Sequence, residues 1–345
     1  MKKISILFFS VFAWLMISSC EKLFVEPDPK NTPEECFESM WTRIDQKYSF
    51  LDYKHINWDS VKTVYKPQIY NNMSDLELFR VLDSMLYVLK DGHVNLDAPF
   101  DISRNWEWYL NYPQNFNQSV LERNYLKNDY FITGPFPNQV FLYNNKRIGY
   151  FRYASFSNNF SDYDLDFILN RFAGTEGLII DVRDNSGGIT NNVFLLLNRF
   201  VQTKTLVGIN YEKNGPGHSD FSVAYNSYAV QATDNKGNIQ PQYLNKPIVL
   251  LTNRSCYSAC NMFVGFMSTL PNVKIVGDQT GGGGGLPVAY QLPNGWVYRF
   301  SSTYTSLPDG FNIENGIPVD VHQDMDPTHQ ANGVDDIMEK AFQQF

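Results

Sequence analysis

The sequence predicts an α/β fold in which a buried sheet is flanked by helices and preceded by a small helical domain. Apolar strand-like runs alternate with helical patterns from residue 147 to the C-terminus, which is how a largely buried sheet with helices on its faces reads. Two well-marked helix starts fall within the first hundred residues, before any buried strand appears. With 345 residues, 43% of them hydrophobic, and 26 Phe and 21 Tyr, the chain has ample material for a core.

The elements follow in order. Thr32-Pro33-Glu34-Glu35 supplies an N-cap, a first-turn proline and a capping-box glutamate, and Phe37, Met40, Trp41, Ile44 and Tyr48 continue as one apolar stripe. "INWDSVKTVYKPQI" reads as a shorter helix ending near Pro67. Ser74-Asp75-Leu76-Glu77 opens a third helix, with Phe79, Leu82, Met85, Leu86 and Leu89 on its buried face. This helical domain spans 32–96 and closes on "LKDGHVNL", where Gly92 suits a left-handed C-cap. Residues 97–146 are aromatic-rich and irregular, and carry no clear periodicity. The core, 147–345, begins with the strand "RIGYFRYASF" and the helix "SDYDLDFILNRF", then the strand "GLIIDVRDNSGG" ending in a glycine turn. "ITNNVFLLLNRFV" is a helix, "PIVLLTN" a buried strand and "ACNMFVGFMSTL" another helix.

Ahead of these elements, "MKKISILFFSVFAWLMISSC" combines two lysines with a short apolar stretch and small residues running into a cysteine. That is the pattern of an export signal, residues 1–19. Ile17-Ser18-Ser19-Cys20 resembles the bacterial lipobox, which implies cleavage before Cys20 and lipidation of that residue. The lipid would hold the protein on a membrane of the bacterial cell envelope, each buried CH₂ adding ~0.8 kcal/mol. An ordinary signal peptide or a retained anchor are the alternatives. Residues 20–31, charged and carrying two prolines, read as a tether. Cys36, Cys256 and Cys260 remain, an odd number that describes no disulfide framework, and they read as packing residues. The formal net charge of −8 argues against nucleic acid, which needs a basic stripe.

One stretch carries chemistry by position. In "LTNRSCYSACNMFVG", Ser258 follows a buried strand and precedes a helix, so the Ala259 N–H lies among the unpaired donors at that helix's positive end. Ser258 is either an N-cap or a nucleophile, since a serine hydroxyl becomes reactive when it is held beside a base and oxyanion donors. Gly187 and Gly188 bring further backbone donors, and His93, at a rigid junction, is a candidate general base or a structural histidine.

"LKDGHVNL", "RIGYFRYASF", "GLIIDVRDNSGG", "VLLTNRSCYSACNMFVGFM", "VKIVGDQTGGGG" and "ENGIPVDV" occur in the order and spacing of the C-terminal processing peptidases, or tail-specific proteases. That family includes the tricorn core and the repeats of interphotoreceptor retinoid-binding protein, and the resemblance covers about residues 35 to 345. It implies a crotonase/ClpP-like core and Ser258 as nucleophile, with the Ala259 N–H and one from Gly187-Gly188 as the oxyanion hole. Cys260-Asn261 replaces the family's usual serine-glutamate pair. Processing peptidases activate the serine with a lysine from a loop that aligns with "TGGGGG", where Gly283 stands in its place. Tricorn-like members use a histidine and a glutamate, which implies His93 and Glu314, with Asp320 and Asp91 next in line as orienting groups. The glycine run lacks the lysine of a nucleotide-binding loop and reads as a mobile loop near the cleft. Only about fifty residues separate His93 from Ile148, too few for a PDZ domain.

The resemblance therefore implies a membrane-anchored serine endopeptidase acting on peptides or unfolded protein tails. No metal or organic cofactor is implied. A catalytically inactive protein of the same fold, binding peptides or apolar ligands, is the alternative. The sequence is silent on oligomeric state.

Overall fold

The computed structural model describes residues 30–106 and 110–345. Residues 1–19, expected to be an export signal, and Cys20 lie outside the described residues. The helical segment holds α1 (Pro33–Lys47), α2 (Trp58–Tyr65) and α3 (Asp75–Tyr87). Thr32 caps α1 by accepting from the Glu35 N–H, and Ser74 with Glu77 forms a complete capping box on α3. The left-handed residue after α3 is Lys90 (φ 44°), two positions before Gly92, so the expected glycine cap is displaced.

The strands are β1 (Asn95–Ala98), β2 (Asp101–Ile102), β3 (Phe131–Thr133), β4 (Phe136–Tyr143), β5 (Lys146–Arg152), β6 (Gly177–Asp181), β7 (Thr205–Glu212) and β8 (Tyr225–Ala229). They continue with β9 (Ile248–Thr252), β10 (Val273–Gly277), β11 (Pro287–Gln291), β12 (Val297–Ser301), β13 (Thr303–Ser306) and β14 (Val321–His322). A seven-stranded sheet runs β14-β10-β9-β6-β5-β4-β3, parallel from β5 to β14 and antiparallel at the β3-β4-β5 edge. The sheet thus begins inside the stretch that the sequence left irregular. Asn144 and Asn145 both have positive φ (48° and 63°) and turn β4 into β5, the two-residue hairpin geometry that asparagine tolerates.

Alternation along the central strands divides their side chains between two cores. Leu178, Ile180, Ile248 and Leu250 pack toward α4 (Asp162–Arg171), α5 (Thr190–Leu197) and α6 (Ala259–Ser268). Ile179, Val249 and Leu251 pack on the other face, with Ile337, Met338 and Ala341 of the C-terminal helix Asp336–Phe342. Cys36, Cys256 and Cys260 are free and buried, as packing residues are.

The helical segment is completed from the far end of the chain. β1 pairs with β12 in a sheet of order β11-β12-β1-β2, and Leu292, Trp296, Tyr298 and Phe300 share one apolar cluster with Phe37, Met40 and Leu82. This packing carries the His93 segment to the ends of β6 and β9.

Candidate active site

The site forms where the turns after β6 and β9 meet. These turns are stitched together: the Tyr257 N–H donates to Asn185 O (3.1 Å), the Asp184 N–H to Asn253 Oδ1 (3.0 Å) and Cys256 Sγ–H to Val182 O (3.0 Å). Arg183 locks the first turn from beneath. It is fully buried and pairs with Asp181 (2.7 Å) and Asp335 (2.9 Å).

Ser258 occupies the N-cap position of α6, but its hydroxyl makes no capping bond. The Oγ lies instead 2.9 Å from His93 Nε2. Its backbone has φ 55° and ψ −122°, a conformation that costs a non-glycine residue about 1–3 kcal/mol. The fold tolerates it because the Ser258 N–H donates to Gly282 O (2.9 Å) and the Met262 N–H to Ser258 O (2.9 Å). A strained serine whose hydroxyl points away from its helix and toward an imidazole is built differently from an N-cap.

The two glycines have different roles. The Gly187 N–H donates to Asn185 Oδ1 (2.9 Å), so it is already committed. A Cβ on Gly187 would lie 2.6 Å from Tyr257 O, 2.8 Å from Ala259 N and 2.9 Å from Ser258 Cβ, so this glycine is what lets the two turns touch. The N–H groups of Gly188 and Ala259 have no protein acceptor among the described residues, and are the pair left to face an oxyanion.

His93 is buried against Tyr257, with ring centroids 4.9 Å apart. Burial pushes its pKa below the usual range, aided by the positive charges of Arg299 and Lys54 and opposed by Asp91, so the neutral form that accepts a proton predominates. Asp91 is the carboxylate beneath it. It accepts from the His93 N–H (2.8 Å), Tyr257 Oη (3.1 Å), Tyr48 Oη (3.2 Å) and Ser301 Oγ (3.2 Å). Burial alone would raise this carboxyl, but the Lys54 charge, the His93 backbone N–H and the Tyr257 hydroxyl hold it below its ordinary value. Ser301 Oγ is 3.5 Å and Asp91 Oδ1 4.0 Å from His93 Nδ1.

Glu314 is buried nearby, but it does not bond to the imidazole. Its carboxylate pairs with Lys54 Nζ (2.7 Å) and accepts from the Gly284 N–H (2.8 Å). Burial pushes its pKa up to about 7, with Lys54 opposing and Asp91 adding to the rise. The described contacts thus join Ser258 Oγ to the His93 imidazole and Asp91 to the His93 backbone N–H, while Glu314 is tied through Lys54 to Leu89 O and Lys90 O. Asp320 lies elsewhere and accepts from the Ile275 N–H (2.7 Å).

The glycine run is packed rather than loose. Gly281 N–H donates to Cys256 O (2.7 Å) and Gly283 N–H to Glu314 O (3.0 Å), and a Cβ on Gly283 would meet the Tyr257 ring at 2.6 Å. Asn261 ties α6 to this run: it donates to Ile313 O (2.9 Å) and accepts from Thr280 Oγ1 (2.6 Å). Lys54, Tyr48 and Ser301 were not legible as site residues, because no local pattern marks side chains that a distant packing brings in.

Comparison with known proteins agrees with this architecture. The Peptidase family S41 model matches residues 147–323, and the Tricorn protease C1 domain model matches residues 29–87. Proteins of Staphylococcus aureus named "Probable CtpA-like serine protease" are 23% identical over 191 residues, which is 54% of this chain and 35% of theirs. The chain thus matches about a third of the length of these curated relatives. A crystal structure from Parabacteroides merdae ATCC 43184, described provisionally as a peptidase, is 36% identical, with a TM-score of 0.85 over 91% of this chain and 97% of that one. The photosystem II D1 C-terminal processing protease shares the fold at 15% identity, with a TM-score of 0.54 over 85% of this chain and 93% of its own. With the family model spanning more than half its length and its strand-end turns built as described, the chain belongs to peptidase family S41.

Proposed function

We propose that this protein is a serine peptidase that hydrolyses peptides or unfolded protein tails through an acyl-enzyme. The observation that carries the reading is the 2.9 Å approach of Ser258 Oγ to His93 Nε2 at a strained backbone position. Ser258 Oγ attacks the scissile carbonyl carbon while its proton passes to His93 Nε2, a transfer worth typically 10²–10⁴-fold. The oxygen that becomes negative lies between the N–H groups of Ala259 and Gly188, and loss of one such donor typically costs 10²–10³ in rate. As the intermediate collapses, the C–N bond breaks and His93 gives its proton to the departing amine. Water then attacks the ester, losing its proton to His93; the acyl C–O bond to Ser258 breaks, the carboxylic acid product leaves, and His93 returns the proton to Ser258 Oγ.

Asp91 is the carboxylate that steadies the imidazolium formed in each half. Ser301 bridges the two, and Glu314 acts at one remove by pinning Lys54 and the glycine run. Ser258→Ala and His93→Ala are expected to abolish nearly all cleavage of an unfolded protein substrate, whereas Glu314→Gln weakens it less. Cleavage by Ser258→Ala at the wild-type rate sinks the proposal.

The lipobox-like Ile17 to Cys20 stretch supports a further reading: a lipid on Cys20 anchors the protein to the bacterial envelope. Cys20→Ser then abolishes fatty-acid labelling and releases the protein from membranes. Unchanged labelling counts against it.

A further inference from the structure

A cleft of about 500 Å³ opens beside Ser258 and His93, with Ser157, Thr190, Met262, Leu286 and Pro287 along its walls. Among the described residues that line it, Arg299 alone carries a fixed charge, in a chain whose net charge is −8. Its direction follows from strand alternation. Tyr298 and Phe300 turn into the N-terminal core, so Arg299, between them on β12, projects from the opposite face. Its cross-strand neighbours are Ala289 on β11, which is too small to cover it, and Asn95 on β1.

Asn95 Oδ1 accepts from Arg299 Nε at 2.7 Å, which fixes the fork and leaves both terminal nitrogens uncommitted. No carboxylate among the described residues pairs with this guanidinium; Asp97, further along β1, forms no ion pair with it. The buried Arg152, Arg183 and Arg199 each face an aspartate, whereas Arg299 stands open to the cleft. A planar, pre-oriented fork with free donors is suited to a carboxylate, which it can bind through two parallel hydrogen bonds.

We propose that Arg299 determines specificity by receiving a carboxylate of the bound peptide, carried either on an acidic side chain or on a free C-terminus. The inference rests on the peptidase reading above and deepens it. Substrate lies along the β11–β12 side of the cleft with a carboxylate at the guanidinium and the scissile bond at Ser258.

The test measures binding without turnover. Octapeptides with Glu or Gln at one position at a time, and pairs with a free or amidated C-terminus, are titrated calorimetrically into Ser258→Ala protein, with and without Arg299→Gln or Arg299→Lys. One carboxylate position is expected to bind about five- to tenfold more tightly than its neutral partner, a preference weakened by added salt. Arg299→Gln should erase that preference and leave the neutral peptides within about twofold, while Arg299→Lys keeps part of it. The arm that responds, side chain or terminus, identifies the source of the carboxylate. Equal binding of acidic and neutral peptides, or a preference that survives Arg299→Gln, overturns the role of Arg299 alone. Failure of every peptide to bind overturns it together with the peptidase reading.

Discussion

Ser258 is held at φ 55° and ψ −122°, and this strain can be measured without any substrate. Replacing it with alanine removes the hydroxyl but keeps the Cβ that makes the conformation costly; replacing it with glycine removes both. The bond to His93, worth about 1 kcal/mol, is lost equally in the two variants and cancels in the comparison. The difference is then the conformational penalty of about 1–3 kcal/mol, less the roughly 0.5–1 kcal/mol of extra backbone entropy that glycine loses on folding. Ser258→Gly should therefore be more stable than Ser258→Ala by about 1 kcal/mol. With a urea slope of about 3 kcal/mol/M the midpoints differ by about 0.3 M, which equilibrium unfolding resolves. Both variants should be inert. If Ser258→Gly is no more stable than Ser258→Ala, the backbone is unstrained and the argument that the turn is built to aim the hydroxyl fails.

Other perturbations reach the same turns. Gly187→Ala places a Cβ 2.8 Å from Ala259 N at a residue of φ 99°, so it should destabilise by about 2–4 kcal/mol and slow acylation at least 10²-fold; a variant with native stability and rate contradicts the geometry. Because burial lowers the His93 pKa, acylation should rise with pH through an ionisation below about 6.5, and Arg299→Gln, which removes a nearby positive charge, should move that midpoint upward in stopped-flow measurements. Glu314 is raised from 4.5 to about 7, so its contribution to stability is fully present below 4.5 and lost as pH rises through about 7. Glu314→Gln should flatten that slope in urea melts at successive pH values.

The parts of this molecule that were legible in its sequence are those set by local chemistry. The N-cap at Thr32, the capping box at Ser74 and the apolar runs at Ile248–Thr252 and Gly177–Asp181 announce their elements, because neighbours in sequence decide them. The β4 hairpin is not legible in the sequence because its signal, Asn144-Asn145, lies between strands of mixed burial with little alternation. At the site, Ser258, His93 and Ala259 were indicated by position and family pattern. Lys54 and Ser301 reach Glu314 and Asp91 only because the helical segment docks on β12, and no local pattern encodes that. The family resemblance implies Glu314 beside the imidazole, whereas its carboxylate pairs with Lys54, some 260 residues away in the chain, a partner no local pattern marks.

The central claim is that Ser258 is a nucleophile activated by His93, and covalent capture tests it most directly. Purified protein is treated with a fluorophosphonate probe, and the modified residue is mapped by peptide mass spectrometry. The account predicts a single adduct on Ser258, formed at least 10²-fold more slowly in folded His93→Ala protein. Folded wild-type protein that never labels, or a label on any residue other than Ser258, would contradict it.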